Sequence, residues 1–77
     1  MKQKVTSILQ EIRPEFDFTQ ELNFIEGGML DSFDIVSLVT VLDEHFGISI
    51  DGMDILPENF VSVDSIVKLL LKNGVKQ

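Results

Sequence analysis

The spacing of apolar residues along the chain predicts a small set of helices. In the first, four apolar residues recur at intervals of three and four, which places them on one helix face: Val5, Ile8, Leu9 and Ile12. Pro14 ends this helix, because proline disfavours helical backbone at the residue before it.

A second helix is predicted with a narrow apolar face and clear signals at both ends. Asp31 and Ser32 are residue types that cap helix amino termini, and Gly47 is a residue type that ends helices. The core-facing residues of this helix are Ile35, Leu38, Val39, Leu42 and Phe46.

The last helix is also marked at both ends. Ser62 caps it, Val61 can pack onto Ile66 as a hydrophobic staple, and Gly74 closes it. Its core face is formed by Val63, Ile66, Val67 and Leu70. Between the second and last helices, residues 57–60 suit a short helix with proline in its first position. Residues 48–50 alternate like a strand, but one such short strand has nothing to pair with, so we expect an extended connection.

A long first loop, residues 14–30, joins the first two helices. It is too apolar for a free linker, and we expect it to fold back over the core through Phe16, Phe18, Leu22, Phe24 and Ile25. Gly27 and Gly28 then turn the chain. The sequence therefore predicts one all-α domain over residues 1–77, a small four-helix bundle with three main helices and one short helix.

Composition narrows the class of protein. The chain has 77 residues, 44% of them hydrophobic and 25% charged, which fits one packed domain. The absence of cysteine excludes disulfides and thiolate metal sites. Polar residues interrupt the first eleven positions before any signal-peptide core forms, so we expect a cytoplasmic protein. Separately, we expect the protein to be a monomer.

The charge of the chain is strongly acidic and unevenly placed. The net charge is −7, yet every Lys and Arg lies in residues 1–13 or 68–77, and residues 14–67 hold twelve carboxylates. Nucleic acid and anionic membranes would be repelled by this segment, whereas a basic protein partner would be attracted. Acidity that merely keeps a small domain in solution is the simpler alternative, and charge alone does not separate the two.

Catalytic and metal sites have little support in the sequence. The one histidine, His45, lies at the margin of the apolar face of the second helix and is expected to be a surface residue. Asp51, Asp54 and Glu58 lack the spacing of a calcium loop. No glycine-lysine-serine element follows Gly27 and Gly28, so the sequence does not support a nucleotide phosphate loop there. We expect no enzymatic activity from the chain alone.

Ser32 is the residue on which a function can be argued. It stands at a helix amino terminus, where unsatisfied backbone amides and the helix dipole favour a covalently attached anion such as a phosphodiester. The alternative is that Ser32 belongs only to a helix cap, since Asp31 and Asp34 resemble a capping box with carboxylates in both roles.

The outward face of the second helix favours a site. Phe33, Val36 and Thr40 point away from the core stripe, at about 100° per residue. The carboxylates around them are Asp31, Asp34, Asp43 and Glu44. Two exposed apolar side chains with an acidic rim indicate a docking patch. Alternatively, Phe33 tucks under the long first loop.

Residues 28–38 read Gly-Met-Leu-Asp-Ser-Phe-Asp-Ile-Val-Ser-Leu, which resembles the phosphopantetheine-attachment segment of the acyl carrier protein family. The chain length, the acidic balance, the long apolar loop and the predicted order of helices resemble that family across the whole chain. The resemblance implies that Ser32 is the attachment serine, preceded by Asp31. It places the docking positions at Phe33, Val36 and Thr40.

The resemblance also implies a mechanism. A phosphopantetheinyl transferase with Mg²⁺ would move 4′-phosphopantetheine from coenzyme A onto Ser32. The thiol of the arm would then carry an acyl or aminoacyl group as a thioester, between an activating ligase and a downstream transferase or synthase. Fatty-acid carriers typically have leucine where this chain has Phe33 and glutamate where it has Ser37. The chain therefore looks closer to carriers of the D-alanyl type and of other specialised pathways. From a different class, an unmodified acidic helical module that docks onto a basic partner stays open.

Overall fold

The computed structural model describes residues 1–19 and 23–75, which form three α-helices and two short 3₁₀ turns. The helices are α1 (Lys2–Ile12), α2 (Ser32–Phe46) and α3 (Val63–Lys72), and the 3₁₀ turns are Gly52–Asp54 and Pro57–Phe60. No β-strand occurs within those two described ranges. α1 packs against both α2 and α3, and the second 3₁₀ turn packs against α3 and α2.

The three main helices predicted from apolar spacing are confirmed, whereas a fourth α-helix is not confirmed among the residues that the structure describes. α1 ends at Ile12, and Arg13 leaves helical geometry with a φ of −133° directly before Pro14. The predicted short helix is a single 3₁₀ turn, with Pro57 at its start, where no backbone N–H is needed.

Glycines close the carboxyl ends of α2 and α3. Gly47 has a φ of 65° and Gly74 a φ of 96°, a left-handed backbone that costs glycine little. After α3, Val75 N–H donates to the Leu70 carbonyl at 3.0 Å and Gly74 N–H donates to the Leu71 carbonyl at 3.2 Å. This pairing is a Schellman motif, which satisfies carbonyls that the helix itself cannot.

The core takes one face from each helix and most of the apolar residues of the first loop. Phe46 and Val63, predicted to face the core, are only half-buried against it, and Leu69 is buried although the narrow predicted stripe omitted it. The buried residues are Val5, Ile8, Leu9, Phe18, Phe24, Met29, Leu30, Ile35, Leu38, Val39, Leu42, Ile50, Phe60, Ile66, Val67, Leu69 and Leu70.

The first loop folds over the core, as the sequence predicts. Phe18 and Phe24 are buried and meet edge to face, with ring centroids 5.0 Å apart. Phe16 and Ile25 are half-buried, and Leu22 lies outside the described residues. The loop thus supplies aromatic core that the short helices do not.

Backbone hydrogen bonds of Phe24 fix the chain just before α2. Its N–H donates to the Val61 carbonyl at 2.8 Å. Its carbonyl accepts the N–H groups of Met29 at 2.9 Å and Leu30 at 3.1 Å. The start of α2 and the segment leading into α3 are therefore held by the same residue.

Candidate functional site

The amino terminus of α2 is closed by a capping box made of two aspartates. Asp31 is the N-cap residue, and its Oδ1 accepts the backbone N–H of Asp34 at 3.0 Å. In return, Oδ2 of Asp34 accepts the N–H of Asp31 at 3.2 Å. The box satisfies two backbone donors, and it places a carboxylate at the positive end of the helix dipole.

Ser32 is the first residue of α2 and is exposed. Asp31, and not Ser32, supplies the capping oxygen, so the cap does not account for the serine hydroxyl. A hydroxyl in this position stands beside the first-turn N–H groups of a 15-residue helix. These groups and the helix dipole favour an anion on the serine.

Arg13 reaches this cap from the end of α1. Its Nη1 donates to Asp34 Oδ2 at 2.8 Å, its Nε donates to Glu15 Oε1 at 3.2 Å, and its guanidinium lies 5.2 Å from the ring centroid of Phe16. Burial lowers the pKa of Arg13, but hydrogen bonds and charges from Glu15 and Asp34 outweigh it and leave the pKa raised. The arginine stays charged, as the contacts require.

Phe33 and Val36 form an exposed apolar pair on α2. Phe33 is 83% exposed and Val36 is 63% exposed. The alternative in which Phe33 tucks under the first loop is therefore wrong. Thr40 lies one turn further along, also exposed, and its Oγ1 donates to the Val36 carbonyl at 3.1 Å. Side chains this exposed and apolar have no role in the core.

The four carboxylates predicted to surround this pair differ in their surroundings. Asp31 and Glu44 are exposed. The Asp34 side chain is only 13% exposed and is paired with Arg13. Asp43 is half-buried, and its Oδ1 accepts the N–H of Ile50 at 3.0 Å. Asp31 and Glu44 are thus the two carboxylates most open to a partner.

Three further apolar side chains are exposed that the sequence did not indicate as surface features. Met53 is 82% exposed, Leu56 is 42% exposed and Leu71 is 39% exposed. Met53 stands three residues from Ile50 and from Leu56, a spacing that does not distinguish it from buried residues. Leu56 and Leu71 also carried no signal of exposure, because each stands next to other apolar residues.

The remaining titratable candidates have local structural roles. Asp51 accepts the Met53 N–H at 2.9 Å, and Asp54 pairs with Lys72. In the described part of the chain, no group of three or more His, Cys, Asp or Glu side chains is arranged to hold a metal ion. His45 is exposed, with its ring centroid 5.0 Å from that of Phe46.

A groove of about 860 Å³ lies between the first half of α1, the first loop and the start of α3. Phe18, Phe24 and Val63 contribute apolar surface to it, and Lys2 and Asp64 contribute charge. These two charged side chains form an ion pair at 2.7 Å. Ser32 does not line the groove, which is therefore separate from the α2 site.

Searches of this chain against protein-family models, curated proteins and solved structures give no match. Across the described residues, no helix is long and apolar enough to cross a membrane. The exposed serine, its cap and the exposed apolar pair carry the functional argument.

Proposed function

We propose that the protein is an acyl carrier protein, modified on Ser32 with 4′-phosphopantetheine. The observation that supports this most directly is the exposed Ser32 hydroxyl at the first position of α2, beside the exposed Phe33. In this proposal the fold is the four-helix carrier bundle, and the 3₁₀ turn Pro57–Phe60 stands in for its short helix.

The residues around Ser32 fit the attached group. The Ser32 oxygen would bond to the phosphorus nearest the pantetheine arm of coenzyme A as the pyrophosphate bond breaks. Adenosine 3′,5′-bisphosphate leaves, and the hydroxyl proton passes to the transferase. The negative phosphodiester then lies at the positive end of the α2 dipole. When attached, the arm supplies a terminal thiol that holds an acyl or aminoacyl group as a thioester.

The surface of α2 suits partners that are basic around an apolar pocket. Phe33 and Val36 offer apolar contact area, and Asp31 and Glu44 offer charge. Charge complementarity of this kind speeds encounter and favours short-lived contacts, which a shuttle between enzymes needs. The partners would be the phosphopantetheinyl transferase, an activating ligase and a downstream transferase or synthase.

The cargo pathway is proposed to be a specialised one, such as D-alanyl transfer, and not housekeeping fatty-acid synthesis. Ser37 is exposed on α2 at the position where the fatty-acid carriers typically have glutamate. An enzyme that recognises a carboxylate there would find only a hydroxyl. Phe33 adds a larger ring than the usual leucine beside the attachment serine.

The test is the intact mass of the protein before and after incubation with coenzyme A, Mg²⁺ and a promiscuous phosphopantetheinyl transferase. We expect the wild type to gain one phosphopantetheine group and Ser32→Ala to gain none. Ser37→Ala removes another exposed hydroxyl of α2 and should be modified like the wild type. An unmodified wild type that is folded by circular dichroism, or a Ser32→Ala that still gains mass, would overturn the proposal.

A second candidate is the unmodified acidic docking module. The 83% exposure of Phe33 supports it, since an exposed apolar side chain offers a contact for a partner whether or not the serine is modified. It predicts that Ser32→Ala keeps function in cells, whereas Phe33→Ser abolishes it. The carrier predicts that Ser32→Ala abolishes function completely.

A further inference from the structure

Arg13 joins three segments of the chain that are separate in sequence. It follows α1 directly, contacts Glu15 and Phe16 in the first loop, and pairs with Asp34 in the first turn of α2, 21 residues away. Residues 14–67 contain no Lys or Arg, so no residue in the loop or in α2 can replace the positive charge of Arg13.

One oxygen atom links Arg13 to the backbone beside Ser32. Oδ2 of Asp34 accepts both Nη1 of Arg13, at 2.8 Å, and the backbone N–H of Asp31, at 3.2 Å. Asp31 directly precedes Ser32, so the arginine holds the carboxylate that accepts the backbone N–H of the residue before the serine. Without Arg13, the Asp34 side chain would be free to rotate towards solvent, and the capping box would lose the hydrogen bond from the Asp31 N–H.

The Arg13–Asp34 pair is sheltered more than an ordinary surface ion pair. The two side chains are 29% and 13% exposed, so screening by salt is weaker than at the exposed Lys2–Asp64 pair. The geometry also uses the planar fork of arginine, with Nε on Glu15 and Nη1 on Asp34. Lysine can keep the charge but cannot make both contacts in this arrangement.

We propose that Arg13 is a positioning residue for the modification of Ser32, a role that rests on the function proposed above. It fixes the Asp31–Ser32 backbone to the end of α1, so that the serine hydroxyl meets the transferase in one orientation. It also holds Asp34 away from the docking surface, which leaves Asp31 and Glu44 for the partner. Orientation of a reacting group affects the rate of the chemical step more than binding.

The experiment measures kcat and KM for phosphopantetheine transfer to Arg13→Gln, Arg13→Lys and the wild type. Lys4→Gln is the matched control, because it removes one positive charge from an exposed site on α1, the helix that Arg13 follows. We expect kcat for Arg13→Gln to fall about tenfold, as a loosened hydroxyl is presented less often in the reactive orientation. KM should stay level or fall, since the surface becomes more acidic. Arg13→Lys should be intermediate, and Lys4→Gln should keep the wild-type kcat.

Amide hydrogen exchange on the same variants gives a readout that does not depend on the transferase. Faster exchange in Arg13→Gln should be confined to the cap of α2. The Asp31 amide loses its acceptor on Asp34, and the Asp34 and Ile35 amides bond to Asp31. The Asn73 amide at the end of α3 should stay as in the wild type. Uniformly faster exchange would indicate a general loss of stability and would overturn the positioning role.

The kinetic outcomes are equally distinct. If the wild type is modified and Arg13→Gln keeps its kcat, the positioning role is wrong while the carrier function stands. A rise in KM at constant kcat would assign Arg13 to docking instead. If the wild type is not modified at all, the carrier function and the role derived from it both fail, and the exchange data then describe only the folding of α2.

Discussion

The carboxylate of Asp54 accepts a hydrogen bond of 2.7 Å from the ammonium group of Lys72, 18 residues further along the chain. Nearby, the Asp51 N–H donates to Oδ1 of Asn73 at 3.1 Å. The two contacts hold the first 3₁₀ turn against the last turn of α3. The hydrogen bond from Lys72 lowers the pKa of Asp54, and the same bond raises the pKa of Lys72.

This pair predicts an acid-dependent loss of stability. Since the pKa of Asp54 in the folded protein lies below its ordinary value of 3.8, the contribution is complete well above pH 3.8 and is lost as the pH falls through the lowered pKa. Asp54→Asn should therefore lose less stability than the wild type on acidification. Urea unfolding of both proteins at a neutral and at a strongly acidic pH measures the difference.

The control for this prediction is Glu58→Gln, which removes a carboxylate from an exposed residue of the neighbouring turn. It should follow the wild type more closely than Asp54→Asn does. Equal pH dependence in the wild type and Asp54→Asn would contradict the pairing with Lys72. At high pH the stabilisation by this pair is lost as the pH rises, because the raised pKa of Lys72 stabilises the fold only while Lys72 keeps its proton.

The apolar pair on α2 is expected to matter for binding and not for folding. Phe33→Ser and Val36→Ser change exposed side chains, so each should alter the free energy of unfolding by only about 0.5 kcal/mol or less. Leu38→Ala, at a fully buried position of the same helix, should cost roughly 2–5 kcal/mol. Chemical denaturation gives these values. A large loss of stability in Phe33→Ser would mean that its ring packs in the folded protein.

Periodic and local features of the sequence predicted most of the fold. The three main helices follow from apolar spacing, and their ends follow from residue types at Asp31, Gly47 and Ser62, each of which acts within a few residues of itself. The short helix predicted at residues 57–60 is found as a 3₁₀ turn, because four residues starting at Pro57 are enough for a 3₁₀ turn but too few for an α-helix held by its own hydrogen bonds.

Long-range contacts could not be predicted in the same way. The Arg13–Asp34 pair depends on where the chain returns to the bundle after the first loop, and no periodic signal in residues 14–30 predicts that point. For the same reason Asp34 was assigned to the docking rim, although its side chain is mostly covered. Helix geometry placed Phe33 away from the core, but its exposure also depends on the first loop leaving its side chain uncovered, which only the structure shows.

The cap of α3 gives a third stability prediction. Oγ of Ser62 accepts the Ser65 N–H at 3.1 Å, and Oγ of Ser65 accepts the Ser62 N–H at 3.1 Å, so the box is built from two serines. Ser62→Ala should cost about 1 kcal/mol of unfolding free energy, because a helix donor loses its acceptor. Ser49→Ala, at an exposed serine outside the helices, should be close to neutral. Equal values for the two variants would mean that the cap contributes nothing measurable.

The excess of acidic groups predicts that added salt stabilises the protein. Thirteen carboxylates stand against six Lys and Arg, so repulsion among like charges outweighs attraction on average, and screening should relieve it. Screening also weakens exposed ion pairs such as Lys2–Asp64, but such pairs contribute little. The melting temperature should therefore rise between about 10 mM and 500 mM NaCl, where the screening length falls several-fold. A melting temperature that is flat or falling at neutral pH would mean that the ion pairs at Arg13 and Lys72 outweigh the repulsion of the whole acidic segment.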